Sequence, residues 1–169
     1  YMRKDSTWFW ASITVTLMRD ANGLPLHTVA VVEDITARRM AEDKLRESEE
    51  RFRATFEDAP FALAHYSGEG GWLRVNRKFI DLFGYPFEQL SRLDWSDLNH
   101  PEERDQRALS LGRLERGEVQ AVSREKRYLR SDGSVFWGYV NTSAVRDHDG
   151  RVDYLVTTIE DVTERVLSQ

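Results

Sequence analysis

The start of the chain alternates apolar and polar residues in a way that predicts a β-strand. Within residues 8–18, WFWASITVTLM, one face carries Phe9, Ala11, Ile13, Val15 and Leu17. A period of two with β-branched residues is typical of a half-buried strand. The following RDANG sequence predicts a turn, and residues 27–34 predict a second strand. Together these segments predict an antiparallel hairpin.

The next stretch has the period of a helix. Residues 36–58 contain neither Gly nor Pro, and Thr36 is a candidate N-cap. One helical face carries Ala37, Ala41, Leu45, Ser48, Phe52 and Phe56. This apolar stripe is narrow, which favours a seam against one partner helix over burial in a core. We therefore predict a helix seam formed by Leu45, Phe52 and Phe56, which faces a partner helix or the outer sheet surface near Trp137.

The rest of the chain predicts a complete α+β domain. Two short strands surround a GEGG turn within residues 61–76, and Asn76 is a candidate N-cap for the helix that follows. Helical segments with Gly and Pro boundaries occupy residues 77–117, and three strands follow over residues 122–160. Two strands, a helical block and three strands predict a five-stranded antiparallel sheet with helices on one face.

The two ends of the chain repeat each other. Residues 1–38 align without a gap on residues 128–165, with 13 of 38 positions identical. A repeat of this kind indicates a repeated structural unit, and this unit is long enough to be a domain. We expect an incomplete domain in residues 1–36, a connecting helix in residues 37–58 and a complete domain in residues 59–166. Because the chain then opens within a domain, we expect it to be a fragment of a longer protein.

The second half resembles the PAS domain, a sensory module of bacterial signalling proteins. The matching segments are GWLRVNRKFIDLFGYPFEQL, NHPEERD, EKRYLRSDGSVFW, AVRDHDG and TIEDVTER, in this order. Residues 1–36 resemble the last two strands of a preceding copy. The resemblance implies a sensory or relay module that acts by ligand binding, by helix-mediated dimer rearrangement, or by both. It also implies an output domain, of the histidine kinase or diguanylate cyclase type, elsewhere in the polypeptide. The alternative is a ligand-free PAS spacer or dimerisation module.

The repeated DIT and DVT sequences resemble the Asp-x-Thr motif that ends the sheet of such domains and leads into a signalling helix. From this resemblance we expect Asp34, Thr36, Asp161 and Thr163 to relay the signal. The residue types also have a local reason, because a carboxylate at the end of a strand can accept N–H groups at the start of the next helix.

A ligand pocket is a candidate feature of the second copy. Its inner row of Phe136, Gly138, Val140, Thr142 and Ala144 is smaller at four of five positions than the row in the first copy. Smaller side chains leave either a cavity or space that larger neighbours fill, and we favour filling or a small pocket. The candidate lining residues are Leu63, Phe79, Phe83, Trp95, Val140 and Thr142.

Composition narrows the chemistry. The chain has no Cys, which excludes disulfides and a cysteinyl-flavin adduct, and no His within residues 102–116, so haem is not expected. The four His residues lack metal-ligand spacing, and we find no nucleophile–base pair or phosphate-binding loop. We therefore expect no catalytic residue, no metal and no enzyme activity within this chain. No cofactor is expected, while a noncovalent small molecule is left open.

Charge and hydropathy limit the kinds of partner that the chain can bind. The formal net charge of −5 argues against a nucleic-acid or anionic-membrane binder. No apolar run approaches the ~18 residues of a membrane span, and no signal peptide is visible. We expect a cytoplasmic protein that forms a homodimer.

Overall fold

A computed structural model describes residues 1–168, apart from the side chains of residues 106–108. The chain divides into two compact units, one from Tyr1 to Arg53 and one from Ala54 onward. This division falls within the long helix. The segment boundaries expected at residues 36 and 58 therefore stay predictions.

The first unit is a hairpin followed by most of a helix. Strand β1 (Ala11–Arg19) pairs antiparallel with β2 (Pro25–Asp34), and helix α1 (Thr36–Glu57) follows. The turn between the strands forms because Asp20 accepts the backbone N–H groups of Asn22 and Leu24 at 2.8 and 2.9 Å. The predicted hairpin and helix are thus confirmed.

The second unit is an antiparallel sheet with helices between its second and third strands in sequence. Its strands are β3 (Ala62–Ser67), β4 (Trp72–Val75), β5 (Ala121–Leu129), β6 (Val135–Arg146) and β7 (Val152–Asp161). Its α-helices are α2 (Arg77–Phe83), α3 (Phe87–Leu90), α4 (Arg104–Glu115) and α5 (Thr163–Leu167). Two 3-10 helices, Trp95–Leu98 and Pro101–Glu103, precede α4. The strand order is β4-β3-β7-β6-β5, and every neighbouring pair is antiparallel. The predicted fold class is confirmed.

The core of the second unit lies between one sheet face and the helices. Its buried apolar residues are Ala62, Ala64, Trp72, Val75, Phe79, Phe83, Leu90, Trp95, Leu98, Tyr128, Phe136, Val140 and Ile159. Aromatic rings pack closely here, with Phe79 and Phe83 stacked at 4.5 Å and Tyr128 and Phe136 stacked at 5.5 Å. Such pairs stabilise a core beyond their buried area, by about 0.5–1.5 kcal/mol each. Much of the interior is therefore filled by aromatic side chains.

The two hairpins share the register that the sequence repeat predicts. Ala11 lies opposite Asp34 in the first unit, and Gly138 lies opposite Asp161 in the second. In both hairpins the register shifts just before an arginine, Arg19 in one and Arg146 in the other. The repeat is thus a structural repeat, down to the irregularity at the far end of each hairpin.

The end of helix α1 corrects one part of the predicted helix seam. Phe56 is only 5% exposed, and its ring packs edge-on against His65 of β3 at 5.2 Å. His65 alternates with the core residue Ala64, so it lies on the outer sheet face. Phe56 therefore anchors the last turn of α1 to its own domain near His65, not to a partner helix or to the surface near Trp137. The stripe pattern could not show this, because a helical period does not say what covers each turn.

Candidate functional site

The C-terminal end of the sheet carries a compact hydrogen-bonded group, which we name the C-terminal junction: Arg130, Asp161, Thr163 and the backbone N–H of Trp137. One carboxylate oxygen of Asp161 accepts the backbone N–H of Thr163 at 3.0 Å and its hydroxyl at 2.5 Å. The Thr163 hydroxyl oxygen accepts the N–H of Trp137 at 3.0 Å. The start of α5 is thereby fixed to both β6 and β7.

Arg130 extends the C-terminal junction to helix α2. Its guanidinium donates to the second carboxylate oxygen of Asp161 at 2.8 Å, and its Nε donates to the carbonyl of Leu82 at 3.0 Å. It also lies over the Phe136 ring, 4.5 Å from the centroid. Both ion-pair partners are largely shielded, with side chains 29% and 35% exposed. One side chain therefore connects the end of α2, the core and the start of α5.

The first unit carries the same group of contacts at the start of α1. Asp34 accepts the backbone N–H and the hydroxyl of Thr36 at 3.0 and 2.7 Å, and it pairs with Arg3. The hydrogen bonds from Thr36, with Arg3 beside them, lower the pKa of Asp34 from its usual value. Thr36 is not the N-cap as predicted, because it is the first residue of α1, and its hydroxyl oxygen accepts the N–H of Trp10 at 2.9 Å. Each DxT sequence thus builds the same junction, while a role in relay remains a prediction.

A cavity of about 60 Å³ lies on the core side of the sheet. Its walls come from β5, β6 and β7, from Tyr66 and Trp95, and from α4. The lining residues are Tyr66, Trp95, Ser110, Leu111, Val122, Ser123, Arg124, Lys126, Val140, Thr142, Leu155 and Thr157. Ligand pockets commonly measure ~300–1,000 Å³. This cavity is thus far smaller and suits only a small group.

The cavity wall contains a buried lysine. Lys126 is 3% exposed, and its Nζ donates to the Asn99 side-chain carbonyl at 2.5 Å. Asn99 is itself buried, and its amide donates to the Trp95 carbonyl at 2.9 Å. The ammonium group also lies 4.7 Å from the centroid of the Tyr128 ring. The position of Lys126 is therefore set by packed neighbours.

Other polar residues line the same space, among them Thr142, Thr157 and Arg124. The hydroxyl oxygens of Thr142 and Thr157 lie 3.0 Å apart, and both residues are buried. Arg124 also lines the cavity, and its guanidinium donates to the Glu103 carbonyl at 3.4 Å. Arg124 and Lys126 share the inner face of β5 because they are two residues apart. The cavity thus combines cationic and hydroxyl groups with an apolar lining.

The predicted pocket residues are only partly brought together. Trp95, Val140 and Thr142 line the cavity, whereas Phe79 and Phe83 are fully buried in the aromatic core away from its lining. The remaining candidate is Leu63, which pairs with Thr158 of β7. Its neighbour Ala64 pairs with Thr157, which lines the cavity. Leu63 therefore lies on the outer face of the sheet, and its placement in the pocket was wrong. A one-residue step in a strand reverses the face.

Asn76 has a larger role than the helix cap that the sequence predicts. Its side-chain carbonyl accepts the N–H of Phe79, which confirms the cap, and also that of Leu63, at 3.0 and 2.9 Å. Its amide donates to the carbonyls of Phe56 and Phe61, both at 3.0 Å. One fully buried amide thus connects the end of α1, the start of β3 and the start of α2. No sequence pattern identifies the three additional partners, because they depend on long-range packing.

The remaining predicted seam residues, Leu45 and Phe52, are partly exposed to solvent on the surface of α1. Leu45 is 61% exposed and Phe52 is 45% exposed. They are seven residues apart and so lie on the same helical face. The predicted seam with a partner helix stays a prediction for these two residues.

Within the residues that the structure describes, no group of three or more His, Asp or Glu side chains is placed to hold a metal ion. Across the same residues, none of the helices has the length and apolarity that crossing a membrane requires.

The fold and the junctions define a small α+β domain whose sheet ends in an outgoing helix. Comparison with known families agrees: the model for the PAS fold matches residues 50–162, and a PAS domain model matches residues 1–37. The chain belongs to the PAS family.

Relatives of known name place the family in signalling proteins. The chain is 33% identical over 141 residues to the probable diguanylate cyclase DgcE of Escherichia coli. This alignment covers 83% of the present chain and 13% of DgcE. It is 26% identical over 153 residues to the sensor histidine kinase TmoS of Ectopseudomonas mendocina. This second alignment covers 90% of the present chain and 16% of TmoS. The chain thus spans less than a fifth of either relative. It is a sensory module of the kind found in signalling proteins.

A solved structure shows the same fold. The crystal structure of the PAS domain of a protein from Colwellia psychrerythraea aligns with a TM-score of 0.62 at 19% identity. The alignment covers 69% of this chain and 98% of that domain.

Proposed function

We propose that the second unit senses a small molecule in its cavity and transmits the change through the C-terminal junction to the helix that begins at Thr163. The output domain would belong to the same polypeptide and would be of the histidine kinase or diguanylate cyclase type. The names of the relatives support this type of output, and catalysis is assigned to that domain rather than to the present chain. The proposal includes a homodimer in the cytoplasm.

The observation that carries this proposal is the C-terminal junction itself. It connects Leu82 at the end of α2 with Thr163 at the start of α5, through the side chains of Arg130 and Asp161. The same strands, β6 and β7, supply cavity walls near their middle and junction contacts at one end. A change in the spacing of these strands therefore acts on both places.

A physical mechanism follows from the energies involved. A hydrogen bond of the C-terminal junction is worth about 0.5–1.5 kcal/mol, and a partly exposed ion pair adds about 0–1 kcal/mol. The start of α5 is thus held by only a few kcal/mol. A ligand can shift two arrangements that differ by this amount, provided that it binds one of them better.

Replacing Asp161 with alanine tests the relay. We expect the amides of residues 163–168 to exchange with solvent about 5- to 30-fold faster, because the two hydrogen bonds from Thr163 and the Arg130 ion pair are all lost. Hydrogen exchange followed by mass spectrometry or NMR measures this change.

Asp147→Ala is the matched control for the relay test. Asp147 accepts the backbone N–H groups of Asp149 and Arg151, both at 2.9 Å, in the turn between β6 and β7, at the opposite end of these strands from α5. This variant should leave exchange at residues 163–168 unchanged. Equal exchange in Asp161→Ala and the unmodified protein would refute the role of the C-terminal junction.

The dimer part of the proposal is tested on the open face of α1. We expect Leu45→Asp or Phe52→Asp to abolish self-association while the second unit stays folded, because a charge cannot be buried in an apolar seam without a large cost. Analytical ultracentrifugation measures the association, and circular dichroism measures the fold.

Met40→Asp is the matched control for the seam. Met40 is exposed on the same helix, about 120–140° around its axis from Leu45 and Phe52. Its substitution should leave the association unchanged. Dimerisation that persists in both seam variants would show that α1 is only a spacer.

A second candidate function has its own supporting observation. The aromatic rings of Phe79, Phe83, Tyr128 and Phe136 fill much of the interior, as expected for a ligand-free spacer or dimerisation module. Such a module would transmit helix movement without a ligand. In that case the Asp161→Ala result would hold, and no small molecule would change exchange at residues 163–168.

A further inference from the structure

The cavity wall has an uneven charge. Among its lining residues within the described part of the chain, Arg124 and Lys126 are cationic and none is acidic. The carboxylate of Asp94 accepts the hydroxyl of Tyr66 at 3.3 Å, but Asp94 is not a lining residue. The charged side chains that line this small space are therefore all cationic.

Lys126 gives this charge a fixed position. It lines the cavity and is buried, and its contacts with Asn99 and Tyr128 fix the position of its ammonium group. Charges interact more strongly in such a place than in water, because the effective dielectric constant is lower. A ligand with a negative charge would gain from this interaction, whereas a neutral ligand of the same shape would not.

The hydroxyl groups add directional donors. The hydroxyl oxygens of Thr142 and Thr157 lie 3.0 Å apart, so one of the two hydroxyls donates its proton to the other. The second hydroxyl can then donate its proton to another acceptor. These residues stand on β6 and β7, and Lys126 stands on β5. Donors from three adjacent strands therefore surround one space.

Size and lining narrow the class of anion. The volume of about 60 Å³ is several times the ~10–15 Å³ that one water molecule needs. The remainder of the wall is largely apolar, including Leu111, Val122 and Leu155. A carboxylate with a short apolar end fits both features better than a doubly charged oxyanion.

We propose that this cavity binds a small monocarboxylate of about four heavy atoms. Lys126 supplies the counter-charge, a threonine hydroxyl donates to a carboxylate oxygen, and the apolar wall receives the alkyl end. This inference rests on the proposed sensory function, for which it names the class of signal molecule.

Acetate and acetamide provide the direct test, because they have the same shape and size and differ in charge. Each is titrated into the 169-residue chain at constant ionic strength, and the methyl signals of Val140 and Thr157 are followed by NMR. We expect saturable shifts with acetate, with a Kd of about millimolar order, and at least ~10-fold weaker binding of acetamide. Equal binding of both compounds, or no saturable shift with acetate, would overturn the proposal.

Inorganic phosphate forms a second arm of the experiment. We expect it to bind at least ~10-fold more weakly than acetate, because an apolar wall disfavours a doubly charged ion. Binding as tight as that of acetate would replace the monocarboxylate with a general oxyanion and would overturn the class named here.

Variants locate the site. Lys126→Met should weaken acetate binding by at least ~10-fold, and Thr157→Val, which keeps the shape of the side chain, should weaken it by ~3- to 10-fold. Lys78→Met, on the exposed surface of α2, is the control and should bind acetate normally. If the folded Lys126→Met variant binds acetate normally, the cavity is not the acetate-binding site. If Lys126→Met does not fold, Thr157→Val and the acetamide comparison still decide the matter.

The two proposals fail in different ways. If acetate does not bind but Asp161→Ala still speeds exchange at residues 163–168, the monocarboxylate site is wrong and the relay stands. If acetate binds at the cavity but exchange at residues 163–168 does not respond, the site stands and the sensory coupling is wrong.

Discussion

Replacing Asn76 with alanine is expected to lower the free energy of unfolding of the second unit by about 3–5 kcal/mol. The substitution removes four hydrogen bonds at once, two accepted and two donated. It leaves the carbonyls of Phe56 and Phe61 without the amide that satisfied them, and burial of an unsatisfied polar group costs about 1–3 kcal/mol. Urea denaturation followed by tryptophan fluorescence measures the loss.

Two further variants separate the contributions of Asn76. Asn76→Asp keeps the acceptors for Leu63 and Phe79 but cannot donate to the two carbonyls, so it should still be strongly destabilised. Asn141→Ala is the control, because Asn141 is only half-buried and donates to the exposed residue Ser123 at 2.6 Å. It should cost less than about 1 kcal/mol. A similarly small loss in Asn76→Ala would contradict the connecting role of this residue.

The loss at Asn76 also has a functional consequence. The amide contacts the carbonyl of Phe56, so it fixes the last turn of α1 to the domain that follows. Without this bond, only the packing of Phe56 and neighbouring contacts hold the helix end. We therefore expect faster amide exchange near residue 56 in any Asn76 variant that remains folded.

Replacing Gly138 with valine is expected to destabilise the second unit by about 3 kcal/mol, and replacing it with alanine by about 1–2 kcal/mol. A Cβ at this position would lie 2.8 Å from two ring carbons of Tyr128 and 3.0 Å from Ile159. Tyr128 is fully buried and stacks on Phe136, so its ring cannot move aside without disturbing the aromatic core. Thermal and chemical denaturation both report the change.

Gly112→Ala is the matched control for Gly138. Among the described side chains its added Cβ would meet only the flexible end of Arg116, at 3.1 Å, and Gly112 lies within helix α4. Because alanine favours helix by about 1 kcal/mol over glycine, this variant should be neutral or stabilised. A Gly138→Val protein as stable as the original would show that the Tyr128 ring is not fixed in place.

The Gly138 prediction also explains a difference between the two copies. The first copy has Ala11 where the second has Gly138, and in the first unit this position faces no equivalent aromatic core. The smaller inner row of the second copy predicted either a cavity or filling by larger neighbours. At Gly138 the space is filled by Tyr128, and a small cavity lies farther along the sheet, at Val140 and Thr142.

The strand period of β5 bears on the cationic cavity wall. Val122, Arg124, Lys126 and Tyr128 alternate with polar residues, and Tyr128 belongs to the core, so all four must share the inner face. The alternation places Arg124 and Lys126 on the same face as Tyr128, and the structure shows that this is the inner face.

The sequence by itself determined the local and repeated features of this protein. Alternation predicted the strands, the helical period predicted α1, and the 127-residue offset predicted two hairpins with the same register and the same Asp-x-Thr junction. These features depend on neighbouring residues or on direct comparison of the chain with itself. They are therefore visible without knowledge of the packing.

The tertiary structure alone decided which segments meet. It placed Phe56 on its own domain, moved Leu63 to the outer face, gave Asn76 four partners and brought Lys126 to the wall of a small cavity. The physical reason is that each of these outcomes depends on contacts between residues distant in sequence. Local periodicity fixes the direction of a side chain along its own element, but only the packing of whole elements fixes what lies opposite it.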